Sequence, residues 1–395
     1  MKKETMIYSL IKASLFSDES VKKIEVSESE WKEVYTELKD QTIIGVPAEW
    51  VFKNIALPED IRLKWEKRYM GQVTFYYQLL HEQNVLIKLM SDNQIPAVIL
   101  KGSAAAIYYP QPVMRLMGDM DFLVSEDDYQ RAYHIMLENG FELMHEEDHT
   151  DYHITMKKGK FIYELHREPS GMPDGEEGEY LRKLLSEGMK VLDTVQLEGY
   201  EIPILPSLQN GIILLLHINS HLKNGLGMRQ ILDWMLYVNQ ELHDDNWYQV
   251  MQPVLQNTRF EKLAKSVTKM CQIYLGLNCE DITWCDDVDE SVCEKLINYI
   301  MEQGNFGRKV KNEDHGVRLL GKTRNPIQLL RLMQERGKLN WKALERYPIL
   351  RPFAWLYTGC KYIQKSSRGE SAIKKITNDI QEGNELRDLY QNLGL

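Results

Sequence analysis

The sequence predicts an α+β fold: a small mixed sheet with flanking helices, followed by a mostly α-helical C-terminal region. Three features of the pattern predict it. From Pro58 to about Gln94, apolar residues recur at three and four positions. From Phe141 to about Glu168 the period changes to two. From Pro206 onward nearly every segment returns to the helical period. The chain has 395 residues, more than one compact core usually holds. The expected division is an N-terminal helical segment over 1–59, an α+β domain over 60–205 and a helical domain over 206–395.

The N-terminal "MKKETMIYSLIKASLFSDES" has a basic tip, but acids and polar residues interrupt its apolar part, so it reads as a helix rather than a signal peptide. Short helices fill residues 1 to about 60, with a break at "IIGVPAEW". The long helix that follows opens with Pro58 and two acids. "IPAVILKG" is a short buried strand ending in glycine, and "SAAAIYYP" a short helix stopped by Pro110. "GDMDFLV" is the next strand. "SEDDYQRAYHIMLENG" is a helix capped by Ser125, acidic in its first turn and closed by Asn139-Gly140. "FELMHEE", "DYHITMKK" and "KFIYELHRE" form an antiparallel ribbon, its last two strands joined by a tight turn in "KKGK". "MKVLDTVQLEGYEIPIL" adds a hairpin. "SLQNGIILLLHINSHLKN", "LGMRQILDWMLYVNQEL" and at least five later segments are helical, and the polar C-terminus is expected to fray.

Hydrophobic content of 43% and charged content of 27% are those of a soluble globular protein. A formal net charge of -10 argues against broad binding to nucleic acid or anionic lipid, yet leaves room for a local basic pocket. The basic, aromatic "RPFAWLYTGCKYIQKSSR" does not outweigh that acidity. No apolar run reaches the ~18 to 20 residues that span a bilayer. Cys271, Cys279, Cys285, Cys293 and Cys360 form no Cys-x-x-Cys, which speaks against a zinc site of known spacing and a disulfide framework; a reducing cytoplasm is the expected location.

The chemistry is concentrated in a few residues. Asp119 and Asp121 lie two apart on a predicted strand and so share a face, with Met120 and Phe122 turned to the core. Buried carboxylates need a counter-charge. Two that converge suit a divalent cation such as magnesium, which prefers oxygen ligands and shares its shell with phosphates. Upstream, a strand runs into Lys101-Gly102-Ser103 at a helix start, where glycine lets a phosphate approach free amides and Ser103 adds a hydroxyl. Downstream, Glu164 supplies a third acid inside an apolar strand, with His166 on its face. Asp148 and Asp151 also lie near the sheet, but in a stretch rich in acids and histidines that reads as a solvated connection. A phosphate cradle, an Asp-x-Asp strand and a later acid are the parts of a two-metal nucleotidyl transfer site.

On these motifs the chain resembles the nucleotidyltransferase superfamily of DNA polymerase beta. More closely, "IPAVILKGSAAAIYYPQPVMRLMGDMDFLV" with "YELHRE" looks like the bacterial uncharacterised nucleotidyltransferase family, at Lys101, Gly102, Ser103, Arg115, Gly118, Asp119, Asp121, Glu164 and His166. The resemblance implies a small nucleotidyltransferase sheet, with metal (Mg2+ or Mn2+) on Asp119, Asp121 and Glu164. It implies nucleotide or phosphate on Lys101, Gly102, Ser103, Arg115 and Gly118. The expected partners are a nucleoside triphosphate and a small-molecule or protein acceptor. The third acid of the superfamily is usually aspartate, so Glu164 is a departure.

A second constellation places His217 and His221 one turn apart, then Arg229 and Asp233 one turn apart on the next helix. His-x-x-x-His can hold zinc, given a third ligand. Arg229 with Asp233 reads as a helix-stabilising pair, and small-molecule nucleotidyltransferases have similar helices beside their cleft. Two other classes stay open: a non-catalytic nucleotide- or partner-binding protein on this fold, antitoxin-like or regulatory, and a phosphohydrolase using the two histidines.

Overall fold

The computed structural model describes residues 3–17, 26–144, 152–222, 225–307, 309, 330, 334, 338, 341, 348–357, 360 and 384–395. The connection carrying Asp148 and Asp151, and most of the helices expected beyond 308, lie outside the described residues. Met1–Arg308 forms one compact unit and Lys309–Leu395 a second.

In the first unit, α1 (Lys3–Phe16), α2 (Glu28–Asp40) and α3 (Ala48–Asn54) are the expected short helices. Ser27 caps α2 in a reciprocal box with Glu30. The break after α2 is fixed from outside, since the Trp65 indole donates to the Ile44 carbonyl at 3.0 Å. Trp65 belongs to α4 (Glu59–Asp92), whose 34 residues give a rod about 50 Å long. Its buried Tyr76, Leu79, Leu80, Leu86 and Met90 pack under the sheet with Phe122, Tyr163 and Leu165.

The sheet contains β1 (Ala97–Ile99), β2 (Met120–Val124), β3 (Glu142–Leu143), β4 (His153–Lys158) and β5 (Phe161–His166). Between them lie the five-residue α5 (Gly102–Ala106) and α6 (Glu126–Glu138). Strand order is β1-β2-β5-β4-β3. The ribbon β3-β4-β5 is antiparallel as expected, and β5 then joins β2 in parallel. Among the described residues of the expected strand "FELMHEE", Glu142 and Leu143 pair with β4, and both are exposed. Helix α7 (Glu176–Gly188) is an element not expected from the sequence, and it carries Gly178 and Gly188 within an otherwise amphipathic pattern. The hairpin β6 (Asp193–Leu197) with β7 (Tyr200–Ile204) is present as expected, turning at Glu198 and Gly199, both at positive φ.

Helices α8 (Ser207–Leu222) and α9 (Met228–Glu241) follow, then further helices through Gln303. Gly171 lets the segment after β5 reach α8. It sits at φ +89°, and a Cβ there would lie 2.1 Å from the Leu216 carbonyl oxygen. The Asn219 amide, from α8, donates to the Gly171 carbonyl at 2.8 Å. This contact brings the second constellation beside the acids. Among the described residues no helix is long and apolar enough to cross a membrane.

Candidate active site

Parallel pairing of β2 with β5 sets Asp121 opposite Glu164. The core faces of those strands, Met120 and Phe122 on one and Tyr163 and Leu165 on the other, are buried as expected. The strand begins at Met120, so Asp119 stands just before it, exposed at the pocket wall.

Two protein cations meet Asp121. The Lys101 ammonium donates to Asp121 Oδ1 at 2.9 Å, and His166 Nε2 donates to the same oxygen at 2.9 Å. His166 Nε2 also lies 3.2 Å from Glu164 Oε2, and its Nδ1 lies 3.3 Å from the Glu168 carbonyl oxygen. Both ring nitrogens thus face acceptors, which suits an imidazolium. Burial lowers the His166 pKa, but the bonds to Asp121 and Glu164 outweigh it and the net shift is upward. Burial likewise raises the Asp121 carboxyl, and Lys101 and His166 overcome this to hold it well below the usual range. Glu164 is pushed up to about 7 by burial, with Asp121 and Asp119 adding repulsion that the His166 bond only partly offsets. Enclosure in the cleft and the charge of Asp121 raise Asp119.

Lys101 reaches the acids from the link between β1 and α5, at φ +51°. Ser103, the next residue but one, does not face the pocket: its hydroxyl donates to Gln83 Oε1 on α4 at 2.7 Å, and the side chain is buried. Gly102 and Gly118 do line the pocket.

The opposite wall comes from α8 and α9. His217 and His221 lie edge to face with ring centroids 4.6 Å apart. Burial, followed by the charge of Lys101, lowers both, His221 to about 4, so the rings are neutral at physiological pH. Among the described residues neither belongs to a three-ligand metal group, so the phosphohydrolase reading gains no third ligand.

The expected pair of Arg229 with Asp233 does not form. Asp233 instead takes Arg115 in a two-pronged bond, Nε to Oδ1 at 2.8 Å and Nη2 to Oδ2 at 2.7 Å, and accepts from the Tyr109 hydroxyl at 2.9 Å. The planar fork of Arg115 matches the carboxylate better than an i,i+4 neighbour does. Arg115 lines the pocket, but its charge is committed. Arg229 donates from Nη1 to the Leu116 carbonyl at 3.1 Å, while its buried Nε has no partner among the described residues. It is a pocket cation not tied to a carboxylate there.

These walls enclose a cavity of about 160 Å³. Lining it are Lys101, Gly102, Arg115, Gly118, Asp119, Asp121 and Glu164, together with His217, His221 and Arg229. Sequence reasoning missed three further lining residues, His153, Ser170 and Ser220. His153 pairs with His166 across β4 and β5 and stacks on it at 5.1 Å. The hairpin turn at "KKGK" gives that register, so the signal for His153 was present. Ser170 and Ser220 depend on the contact at Gly171, which no local pattern reveals.

The chemistry of the donors fits a divalent cation. Among the described residues, the acid and histidine atoms gathered within 4.8 Å of one another are those of Asp121, Glu164 and His166. Two adjacent carboxylates suit a hard divalent cation, and His166, bonded to both, orients them.

Comparison with curated proteins gives no match. The family model described as uncharacterised nucleotidyltransferase matches residues 27–276, from the cap of α2 through the sheet, both pocket walls and the helices after α9. With well over half of its length matched, the chain belongs to that uncharacterised nucleotidyltransferase family.

Proposed function

We propose that the protein is a metal-dependent nucleotidyltransferase that moves a nucleoside monophosphate from a nucleoside triphosphate to a hydroxyl or phosphate acceptor. The observation that carries this reading is the convergence, in one cavity, of Asp119, Asp121 and Glu164 with the cation Arg229 and the glycines Gly102 and Gly118. Asp119, Asp121 and Glu164 would hold the cation, and His166, bonded to two of them, orients those carboxylates. When bound, the cation neutralises phosphate charge and lowers the pKa of the attacking group. Lys101 and Arg229 offset the charge of the triphosphate tail. Arg115 acts at one remove, by fixing α9 to the pocket floor through Asp233. Ser103 supports α4 packing rather than phosphate. Turned from the cation toward the acceptor, Glu164 would instead be the group that takes its proton, leaving the cation to Asp119 and Asp121. The acceptor oxygen forms the new bond to the α-phosphorus, the α–β bridge breaks, and pyrophosphate leaves.

One observation favours a second reading, a nucleotide- or partner-binding chain without turnover: Lys101 and His166 already supply positive charge to Asp121 from the chain itself. Incubation with Mg2+ or Mn2+ and each labelled nucleoside triphosphate, alone and with cell extract as acceptor source, separates the two. The transferase reading predicts pyrophosphate release with one triphosphate, falling at least 100-fold in Glu164→Gln. Nucleotide binding with no pyrophosphate under any condition would favour the second reading.

A further inference from the structure

We propose that the site takes one divalent cation per chain, with the Lys101 ammonium standing where a second would be. This rests on the transferase reading and deepens it by fixing how many ions the pocket holds.

Asp121 Oδ1 accepts from both Lys101 Nζ and His166 Nε2, each at 2.9 Å. A carboxylate oxygen offers about two lone-pair sites, so Oδ1 is fully engaged and Oδ2 is what Asp121 can give to an ion. Two-ion sites hold their cations about 3.5–4 Å apart and depend on carboxylates that reach both. An aspartate with one oxygen already spent is a poor bridge.

Lys101 is not a surface lysine at rest against an acid. It is buried, and its backbone holds φ +51°, a conformation that non-glycine residues rarely adopt. The strand β1 and helix α5 on either side keep that conformation, and it delivers Nζ into the acid cluster. The ammonium faces Asp121, Glu164 and Asp119 together. A second divalent ion among those acids would stand beside this fixed positive charge and near Arg229, in a cleft that water screens weakly. Phosphate charge that a second ion would otherwise meet is met by the ammonium.

The count of bound ions tests this without any need for the acceptor. Mn2+ is titrated onto the full chain and the free ion is followed by electron paramagnetic resonance, for the wild type, Lys101→Met and Lys101→Arg. Methionine keeps the length of the side chain and removes its charge; Lys101→Gln takes its place if that variant does not fold. The expected result is one tightly bound Mn2+ in the wild type and in Lys101→Arg, and two in Lys101→Met. Two ions on the wild-type chain, or one on the folded neutral variant, would overturn the inference and leave the transferase reading standing. No tightly bound Mn2+ on the wild-type chain would overturn the transferase reading itself.

Discussion

Asp121→Asn is expected to lower the melting temperature of the metal-free protein, and Asp119→Asn to raise it, although the two residues belong to one Asp-x-Asp motif. Asp121 is buried between Lys101 and His166 and is the counter-charge of both. Asparagine keeps the shape and one acceptor oxygen but leaves the buried Lys101 without its carboxylate partner and His166 with Glu164 alone. Removing one partner of a buried pair costs about 3–5 kcal/mol, and the retained acceptor puts this case near the lower end. Asp119 is different: its charge is disfavoured by the cleft and by Asp121, so an amide there relieves repulsion. The pH dependence follows. The folded pKa of Asp121 is depressed, so its stabilisation is present above the unfolded value of ~3.9 and is lost as pH falls through the folded one. The gap between wild type and Asp121→Asn should therefore close in strong acid. Thermal melts in the presence of a chelator at several pH values would check this. Equal loss in both variants would mean that the two aspartates share one environment, contrary to the geometry.

The second large effect is expected at the pair of Arg115 with Asp233. Arg115→Ala and Asp233→Ala should each cost about 3–5 kcal/mol, since each leaves the other charge buried and alone. Asp233→Ala also strands the Tyr109 hydroxyl. Replacing both at once, as Arg115→Met with Asp233→Leu, should be far milder than the sum, because no buried charge is left over. Denaturant unfolding of the two single variants and the double variant measures the coupling. Additive losses would show that Arg115 and Asp233 act independently, and would return Arg115 to the phosphate role that its position in the motif suggests.

The acids of the site were legible because strand alternation is local. Two residues apart on β2 means one face, and an acid inside the apolar strand "FIYELH" means a partner nearby. The long helix α4 and the cap of α6 were legible for the same reason, as periodicity and end signals sit in consecutive residues. What could not be read was pairing between distant segments. Arg229 and Asp233 are ideal neighbours on one helix, yet Asp233 turns to Arg115, 118 positions away in sequence. Ser103 looked like a phosphate ligand because it follows Lys101-Gly102, but α4 passes behind it and Gln83 takes its hydroxyl. The acid pattern by itself implies a metal as counter-charge, whereas Lys101 and His166 supply part of it from the chain. Both residues were in view; the distance between them and Asp121 was not.

Metal-dependent binding of the triphosphate is the sharpest test of the transferase reading. ATP, GTP, CTP and UTP are each titrated into the protein by calorimetry, once with Mg2+ or Mn2+ and once with chelator. A site in which Asp119, Asp121 and Glu164 face a triphosphate across a cation predicts that at least one of the four binds with metal and that its affinity falls at least tenfold without it. Equal affinity in both conditions would contradict that account.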